Sequence, residues 1–170
     1  MKTAKTYLVA GFFFTAVLGT LAHFFYEWSG ENPLAGLFTP VSESTWEHMK
    51  LVFFPVLLWS FFLPPRLAAE HPALRPAVLL GGIGGTFLIP VLFYTCSGIL
   101  GRTVTWVDIA IFYISSGAVF LWTWKLHLSE TRSAVIKKRR AAVFLLTALL
   151  VLLFFLFSFL PPDIGLFAAP

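Results

Sequence analysis

The residue types that could do chemistry in this sequence are carboxylates and imidazoles set at helical spacing. His23 and Glu27 are four residues apart, as are Glu43 and Glu47, and His48 follows directly. Four-residue spacing places both members of a pair on one helix face, one turn apart. Imidazole and carboxylate groups together suit zinc, manganese or iron. We therefore predict a divalent metal site with His23, Glu27 and His48 as ligands and with Glu43 and Glu47 as catalytic carboxylates.

Further polar and aromatic residues are expected to share this site. Asp108 is predicted to be a third catalytic carboxylate, because it stands near the start of an apolar segment on the same predicted side of the membrane. Ionisable groups at such positions are costly and usually face a bundle interior or a wet cavity. The predicted ligand-binding residues are Tyr26, Trp28, Ser44, Trp46 and Tyr94.

Structural explanations compete with these chemical ones. Ser44 with Glu47 three residues later fits a capping box, whereas Ser42 would be an alternative N-cap with Glu43 in the first turn. Lys50 is a candidate ion-pair partner for either carboxylate, and His48 could be a hydrogen-bonded packing residue. Trp28 and Trp46 suit an aromatic belt at the membrane interface.

The elements that position these residues are membrane-spanning helices. The sequence has 170 residues and is 58% hydrophobic, well above an ordinary soluble domain. A spanning helix needs roughly 20 mostly apolar residues. We predict an all-α, polytopic transmembrane bundle of about five helices that forms a single domain over residues 1–170, with spans at about 7–26, 46–63, 77–100, 104–124 and 141–160. The length of the first apolar segment indicates a retained span rather than a signal peptide.

Lys and Arg predict the orientation of the bundle. Ten of the twelve fall on one predicted side, which places the amino terminus in the cytoplasm and the carboxyl terminus outside by the positive-inside rule. The basic run 137–140 is expected to be an orientation anchor near anionic lipid, and a nucleic-acid partner is not expected. The histidines and carboxylates of the predicted site then lie together on the extracytoplasmic side.

Other motifs contribute less. The glycines at 81, 82, 84 and 85 favour close helix packing rather than a phosphate loop, since no Lys-Ser or Lys-Thr pair follows them. Cys96 is the only cysteine, which excludes an intrachain disulfide and a cysteine-based metal site. No HExxH motif is present.

Three segments carry a family resemblance. They are residues 23–55, reading HFFYEWSGENPLAGLFTPVSESTWEHMKLVFFP; residues 94–101, reading YTCSGILG, followed by Asp108-Ile109; and residues 157–167, reading FSFLPPDIGLF. The sequence resembles the uncharacterised prokaryotic membrane family known as domain of unknown function 6512, although that family usually has Asn where Ser42 stands. The resemblance implies a multi-pass protein of a prokaryotic plasma membrane and supplies no activity.

Several functions remain open. The first hypothesis is a metal-dependent hydrolase or transferase that binds a lipidic or small-molecule ligand at the extracytoplasmic side. The second is a transporter or proton-coupled permease component, which would need a homo-oligomer to build a path because no internal repeat is visible. The third is a non-catalytic interaction or assembly protein that uses the loop 28–45, and a bis-histidine haem protein is a fourth.

Overall fold

All regular structure in the described part of the chain, residues 2–169 of the computed structural model, is helical. Three of the helices are short connectors, and a 3-10 helix lies near the carboxyl end. In chain order the α-helices are α1 (Lys2–Trp28), α2 (Pro33–Gly36), α3 (Thr45–Phe61), α4 (Pro65–Glu70), α5 (Leu74–Leu100), α6 (Thr105–Leu128), α7 (Glu130–Lys138) and α8 (Arg140–Phe159), and the 3-10 helix is Gly165–Phe167. The predicted all-α class is confirmed.

Four helices, α1, α5, α6 and α8, are long and apolar enough to cross a membrane. Their outward faces carry large apolar side chains such as Phe13, Leu121 and Leu145, which are 61%, 64% and 71% exposed. Large contiguous apolar faces of this kind are unfavourable in water and are solvated by lipid. Both observations agree with a membrane protein.

The fifth predicted span corresponds to α3, which differs from the other four. It has 17 residues, contains Pro55, and packs against α1, α5, α6 and α8. Most of its side chains are buried, and Met49 and Val52 are fully so. α3 is thus a short, central helix enclosed by the others, and its crossing of the bilayer stays a prediction. The orientation of the termini stays a prediction too.

Close helix packing at the glycine run is confirmed for α5 and α6. A Cβ atom on Gly81 would overlap Thr123 Oγ1, and one on Gly85 would overlap the Val119 side chain. The absence of side chains at these two positions therefore lets α6 approach the backbone of α5, as small residues do at helix contacts in lipid.

The start of α3 distinguishes the two predicted caps. Ser44 is the N-cap residue, and its Oγ accepts a hydrogen bond from the Glu47 backbone N–H at 3.3 Å, so the alternative with Ser42 as N-cap is wrong. The reciprocal half of the capping box is not formed as predicted, because the Glu47 carboxylate accepts from the Val41 N–H instead. The side chain of Glu47 is thus directed back toward the preceding loop.

Successive long helices alternate in direction, which sorts their ends into two groups. The end of α1, the start of α3, the end of α5 and the start of α6 line one cavity, here called the acidic end of the bundle. The end of α3, the starts of α5 and α8 and the helix α4 meet at the opposite end, here called the basic end. The carboxyl-terminal segment returns to the acidic end, where the Tyr94 hydroxyl donates to the Gly165 carbonyl at 3.0 Å.

Candidate functional site

Two histidines and one carboxylate converge at the acidic end. His23 comes from the last turns of α1, His48 from the first turn of α3, and Glu43 from the loop just before α3. The two Nε2 atoms are 3.2 Å apart, and Glu43 Oε2 lies 3.4 Å from His48 Nε2 and 4.0 Å from His23 Nε2. We call these three residues the histidine cluster.

The tautomer of the neutral His48 ring follows from its backbone partner. His48 Nδ1 lies 2.9 Å from the Ser44 carbonyl oxygen. A carbonyl oxygen can only accept, so Nδ1 must carry the hydrogen and the neutral ring presents a bare lone pair at Nε2. A histidine that donates one N–H to a backbone carbonyl while the other nitrogen faces an open position has the arrangement of a metal ligand.

The separations within the histidine cluster fit a small divalent cation. Metal bonds to histidine nitrogen and carboxylate oxygen measure about 2.0–2.1 Å, so tetrahedral geometry puts neighbouring ligand atoms about 3.3–3.4 Å apart. The three observed separations, 3.2, 3.4 and 4.0 Å, bracket that value. A three-ligand set of this kind leaves a further position for water or a substrate oxygen, as catalytic zinc sites do.

The histidine cluster opens into a cavity of about 370 Å³. Asp108, at the start of α6, lines the same cavity, so the structure brings this predicted residue to the site. The opposite wall is mainly apolar and includes Phe93, Ile111 and Phe112. The cavity therefore pairs ionisable groups with a hydrophobic surface, which suits an amphipathic ligand.

Glu47 lies in a different environment from the histidine cluster. Its side chain is 3% exposed, and Oε2 forms an ion pair of 2.7 Å with Lys50 Nζ, which is fully buried. The other oxygen, Oε1, lies 3.2 Å from the Ser158 hydroxyl of α8, whose single hydrogen is shared with the Phe154 carbonyl oxygen at 2.7 Å. Both oxygens are engaged, so the geometry gives Glu47 a structural place, and its catalytic role stays a prediction.

The Glu47–Lys50 ion pair fastens the loop that precedes α3. Lys50 Nζ also donates to the carbonyl oxygens of Gly36 at 2.8 Å and Thr39 at 3.2 Å. Glu47 Oε2 accepts from the Val41 N–H at 2.9 Å. Val41 is two residues before Glu43, so the buried pair holds the segment that presents Glu43 to the histidines.

Glu27 is one predicted ligand that the structure does not bring to the cluster. Its side chain is exposed, and the group of converging metal-binding side chains in the described residues is His23, Glu43 and His48. Glu43 occupies the place that the sequence prediction gave to Glu27. Spacing alone could not find this, because Glu43 lies outside α3 and its direction depends on the loop.

The predicted ligand-binding residues have separate surroundings. Tyr26 lies against Gly36, and Trp28 is exposed and stacks on Phe24 with ring centroids 5.7 Å apart. Ser44 caps α3, and Trp46 packs in a buried aromatic group with Phe154 and Phe167. Tyr94 bonds the carboxyl-terminal segment. Of these contacts, only the one from the Ser44 carbonyl oxygen reaches the histidine cluster. The binding roles of all five residues stay predictions.

Comparison with known protein families gives a match over nearly the whole chain. Residues 1–169 match the family model described as Family of unknown function (DUF6512). No curated protein and no solved structure matches the chain. Since the match extends over nearly every residue, this helical chain with its histidine cluster belongs to the DUF6512 family.

Proposed function

We propose that the protein is a metal-dependent membrane hydrolase or transferase whose site lies at the acidic end of the bundle, on the extracytoplasmic side of a prokaryotic plasma membrane. The single observation that carries this proposal is the convergence of two imidazoles and one carboxylate at the spacing of a divalent cation's ligands. The hydrogen bond from His48 Nδ1 to Ser44 O supports it, because that bond leaves the lone pair of Nε2 on the side of His23 and Glu43.

The residues divide into three roles in this proposal. His23, His48 and Glu43 hold a divalent cation, which would supply Lewis acidity to a bound carbonyl or phosphoryl oxygen. Asp108 lines the same cavity and serves as the base that accepts a proton from water or from an acceptor hydroxyl. Glu47 keeps the loop before α3 in place through Lys50.

The shape of the cavity indicates the substrate class. Aromatic and branched apolar side chains of α5 and α6 line the cavity together with the histidine cluster. A ligand with an ester or phosphate group at the cluster and a hydrocarbon part against that wall would satisfy both surfaces. We therefore infer a lipidic, amphipathic substrate.

Elemental analysis of the detergent-purified chain tests the metal part of the proposal. The wild type is expected to carry about one zinc, manganese or iron ion per chain; His48→Ala is expected to lose it, and Glu43→Gln is expected to retain clearly less of it after dialysis. Glu27→Gln is the matched control, because it removes an acidic charge at the same end of the bundle without touching the cluster. Equal metal content in the Glu43→Gln and wild-type proteins would contradict the proposed ligand set.

Catalysis needs a separate measurement. Hydrolysis of short-chain and long-chain nitrophenyl acyl esters is expected to depend on the added metal and to prefer the longer chain, since the cavity wall is apolar. Asp108→Asn should keep the metal and lose about 10²–10⁴-fold in rate, as expected for a general base. Metal retention together with an unchanged rate would remove Asp108 from the mechanism.

Proton-coupled transport is a second candidate, favoured by the direct contact of the two rings. His23 Nε2 and His48 Nε2 are 3.2 Å apart, a distance at which one proton can be shared between them. A protein that binds no metal, and whose proton flux in proteoliposomes is lost in His23→Ala, would favour this candidate over the hydrolase.

A further inference from the structure

The basic end of the bundle contains a second cavity, unrelated to the histidine cluster. It encloses about 160 Å³ between the end of α3, the helix α4 and the starts of α5 and α8. Two arginines, Arg75 and Arg140, and the imidazole of His71 line it. The rest of the lining is uncharged: Leu63, Ala68, Pro72, Pro76 and Phe144. The cavity therefore presents positive charge with no carboxylate among its lining residues.

Arg75 contributes a guanidinium to this cavity. Its Nε is shielded from solvent without a hydrogen-bond partner within residues 2–169. A ligand can therefore reach this guanidinium only at its terminal nitrogens. A guanidinium presents several donors in a planar fork, and that fork matches the oxygens of a carboxylate or phosphate group.

Helix starts and helix ends both meet at this cavity. α5 begins at Leu74 and α8 at Arg140, and neither start has a side-chain cap hydrogen bond in the described part of the chain. The first N–H groups of an α-helix lack partners within the helix, and the aligned peptide dipoles favour an anion there. The ends of α3 and α4, which carry the opposite partial charge, meet the same cavity, so its positive charge comes from the side chains of Arg75 and Arg140.

Nearby acidic groups do not neutralise the cavity. Glu70 lies beside His71 but forms an exposed ion pair of 3.1 Å with Arg66. Glu130 lies at the start of α7, whose following residues include Arg132, Lys137 and Lys138. The cavity therefore retains an excess of positive charge that an anionic ligand can neutralise.

We propose that the cavity lined by Arg75, Arg140 and His71 binds the phosphate group of a glycerophospholipid. A lipid is the favoured source of the phosphate because the apolar side of the cavity is continuous with the lipid-facing surface of α8. Phe144 lines the cavity and is 43% exposed, and Leu145 beside it is 71% exposed. The acyl chains would lie along this surface while the phosphate contacts the arginines at the level of the headgroups.

The test is a lipid titration of the delipidated full chain in detergent, followed by native mass spectrometry. Dioctanoyl phosphatidylglycerol is the probe, and dioctanoylglycerol, which has the same chains without phosphate, is its control. One phospholipid per chain is expected to bind, with a higher affinity than dioctanoylglycerol. Arg140→Gln is expected to weaken the phospholipid affinity about tenfold, because it removes a charge-assisted contact. Arg140 is exposed, so this variant is not expected to disturb folding.

Two further variants separate a specific site from general attraction to basic residues. Lys138→Gln removes a charge from the same basic run without lining the cavity, and Arg102→Gln removes one near the acidic end; both should bind within about twofold of the wild type. Arg75→Gln should resemble Arg140→Gln, provided that its thermal unfolding matches that of the wild type. Equal weakening in Lys138→Gln and Arg140→Gln, or equal affinity for dioctanoylglycerol, would overturn the proposal.

Sodium phosphate identifies the source of the phosphate group. Millimolar phosphate should not displace the phospholipid if the acyl chains contribute to binding. If phosphate alone binds with the same dependence on Arg75 and Arg140 and displaces the lipid, the lipid assignment is overturned and the cavity is a site for a soluble phosphate. Neither result depends on metal binding at the histidine cluster, which lies at the other end of the bundle.

Discussion

Glu43 and Glu47 are four residues apart in the chain, yet they belong to two different kinds of polar site. The Glu43 side chain is 68% exposed and faces two imidazoles across 3.4 and 4.0 Å. The Glu47 side chain is 3% exposed and is bonded to Lys50 at 2.7 Å. One carboxylate borders an open cavity with a free position for a ligand, whereas the other has all its partners within the protein.

The difference shows how burial decides what a carboxylate can do. A buried charge must be compensated by permanent partners, because desolvation is costly and an unpaired buried charge is strongly destabilising. A partly hydrated carboxylate can exchange water for a cation at much smaller cost. The buried pair thus supplies rigidity to the loop before α3, and the exposed carboxylate is available for chemistry.

Lys50→Met is expected to have the largest effect, and it acts on the buried site. The variant leaves the Glu47 charge without its cation and frees the carbonyls of Gly36 and Thr39. The free energy of unfolding should fall by about 3–5 kcal/mol, the typical cost of removing one partner of a buried pair. Thermal or denaturant unfolding in detergent measures this.

The matched control for that variant is the double substitution Glu47→Gln and Lys50→Met, which removes both charges. It should recover a large part of the lost stability, because no uncompensated charge is left in the interior. A single Lys50→Met variant as stable as the wild type would show that the buried pair does not hold the loop.

His48→Ala is expected to have the next largest effect, and it acts on the open site. Loss of a direct ligand should weaken metal binding by at least about 100-fold, more than the 10–100-fold typical of outer partners. Stability should change little, since the ring is partly exposed. Metal titration followed by calorimetry measures the affinity, and His127→Ala at the basic end of α6 is the control.

Glu43→Gln should have a smaller effect than His48→Ala. The amide keeps the size of the side chain and one oxygen but loses the charge, so metal affinity should fall about tenfold with unfolding unchanged. Glu27→Gln, measured beside it, should bind metal as the wild type does. If Glu43→Gln destabilised the fold as much as Lys50→Met, Glu43 would be a structural carboxylate like Glu47 and not an open binding group.

Ser44→Ala is expected to have the smallest effect. Ser44 contacts both sites, through its hydroxyl and its carbonyl oxygen, so this variant separates the two contacts. The Ser44 hydroxyl caps α3 at the Glu47 N–H, while its carbonyl oxygen orients His48. Removing the hydroxyl should lower the free energy of unfolding by about 1 kcal/mol, as loss of an N-cap does. Metal affinity should stay within about twofold, because the carbonyl is retained; a large loss of affinity would place the hydroxyl in the metal site.

Several features of the fold could be predicted from particular residues. The uncharged run 141–160 predicts a long lipid-facing helix, and α8 extends over 140–159. The spacing of Ser44 and Glu47 predicts the cap of α3. Residues 23–55 and 157–167 carry a family resemblance, and the family match extends over residues 1–169. Local propensity and hydrophobicity suffice for the helix and its cap, because both depend on neighbours in the chain.

The sequence alone thus determined the helical class, the lipid-compatible composition, the positions of the long helices and the set of side chains from which a site could be built. Only the tertiary structure decided that Glu43, rather than Glu27, faces His23 and His48 and that Glu47 is enclosed with Lys50. These choices depend on how the loop before α3 folds back between helices distant in sequence. No periodicity within one helix specifies that contact, because its free energy comes from the burial and pairing of charges across the bundle.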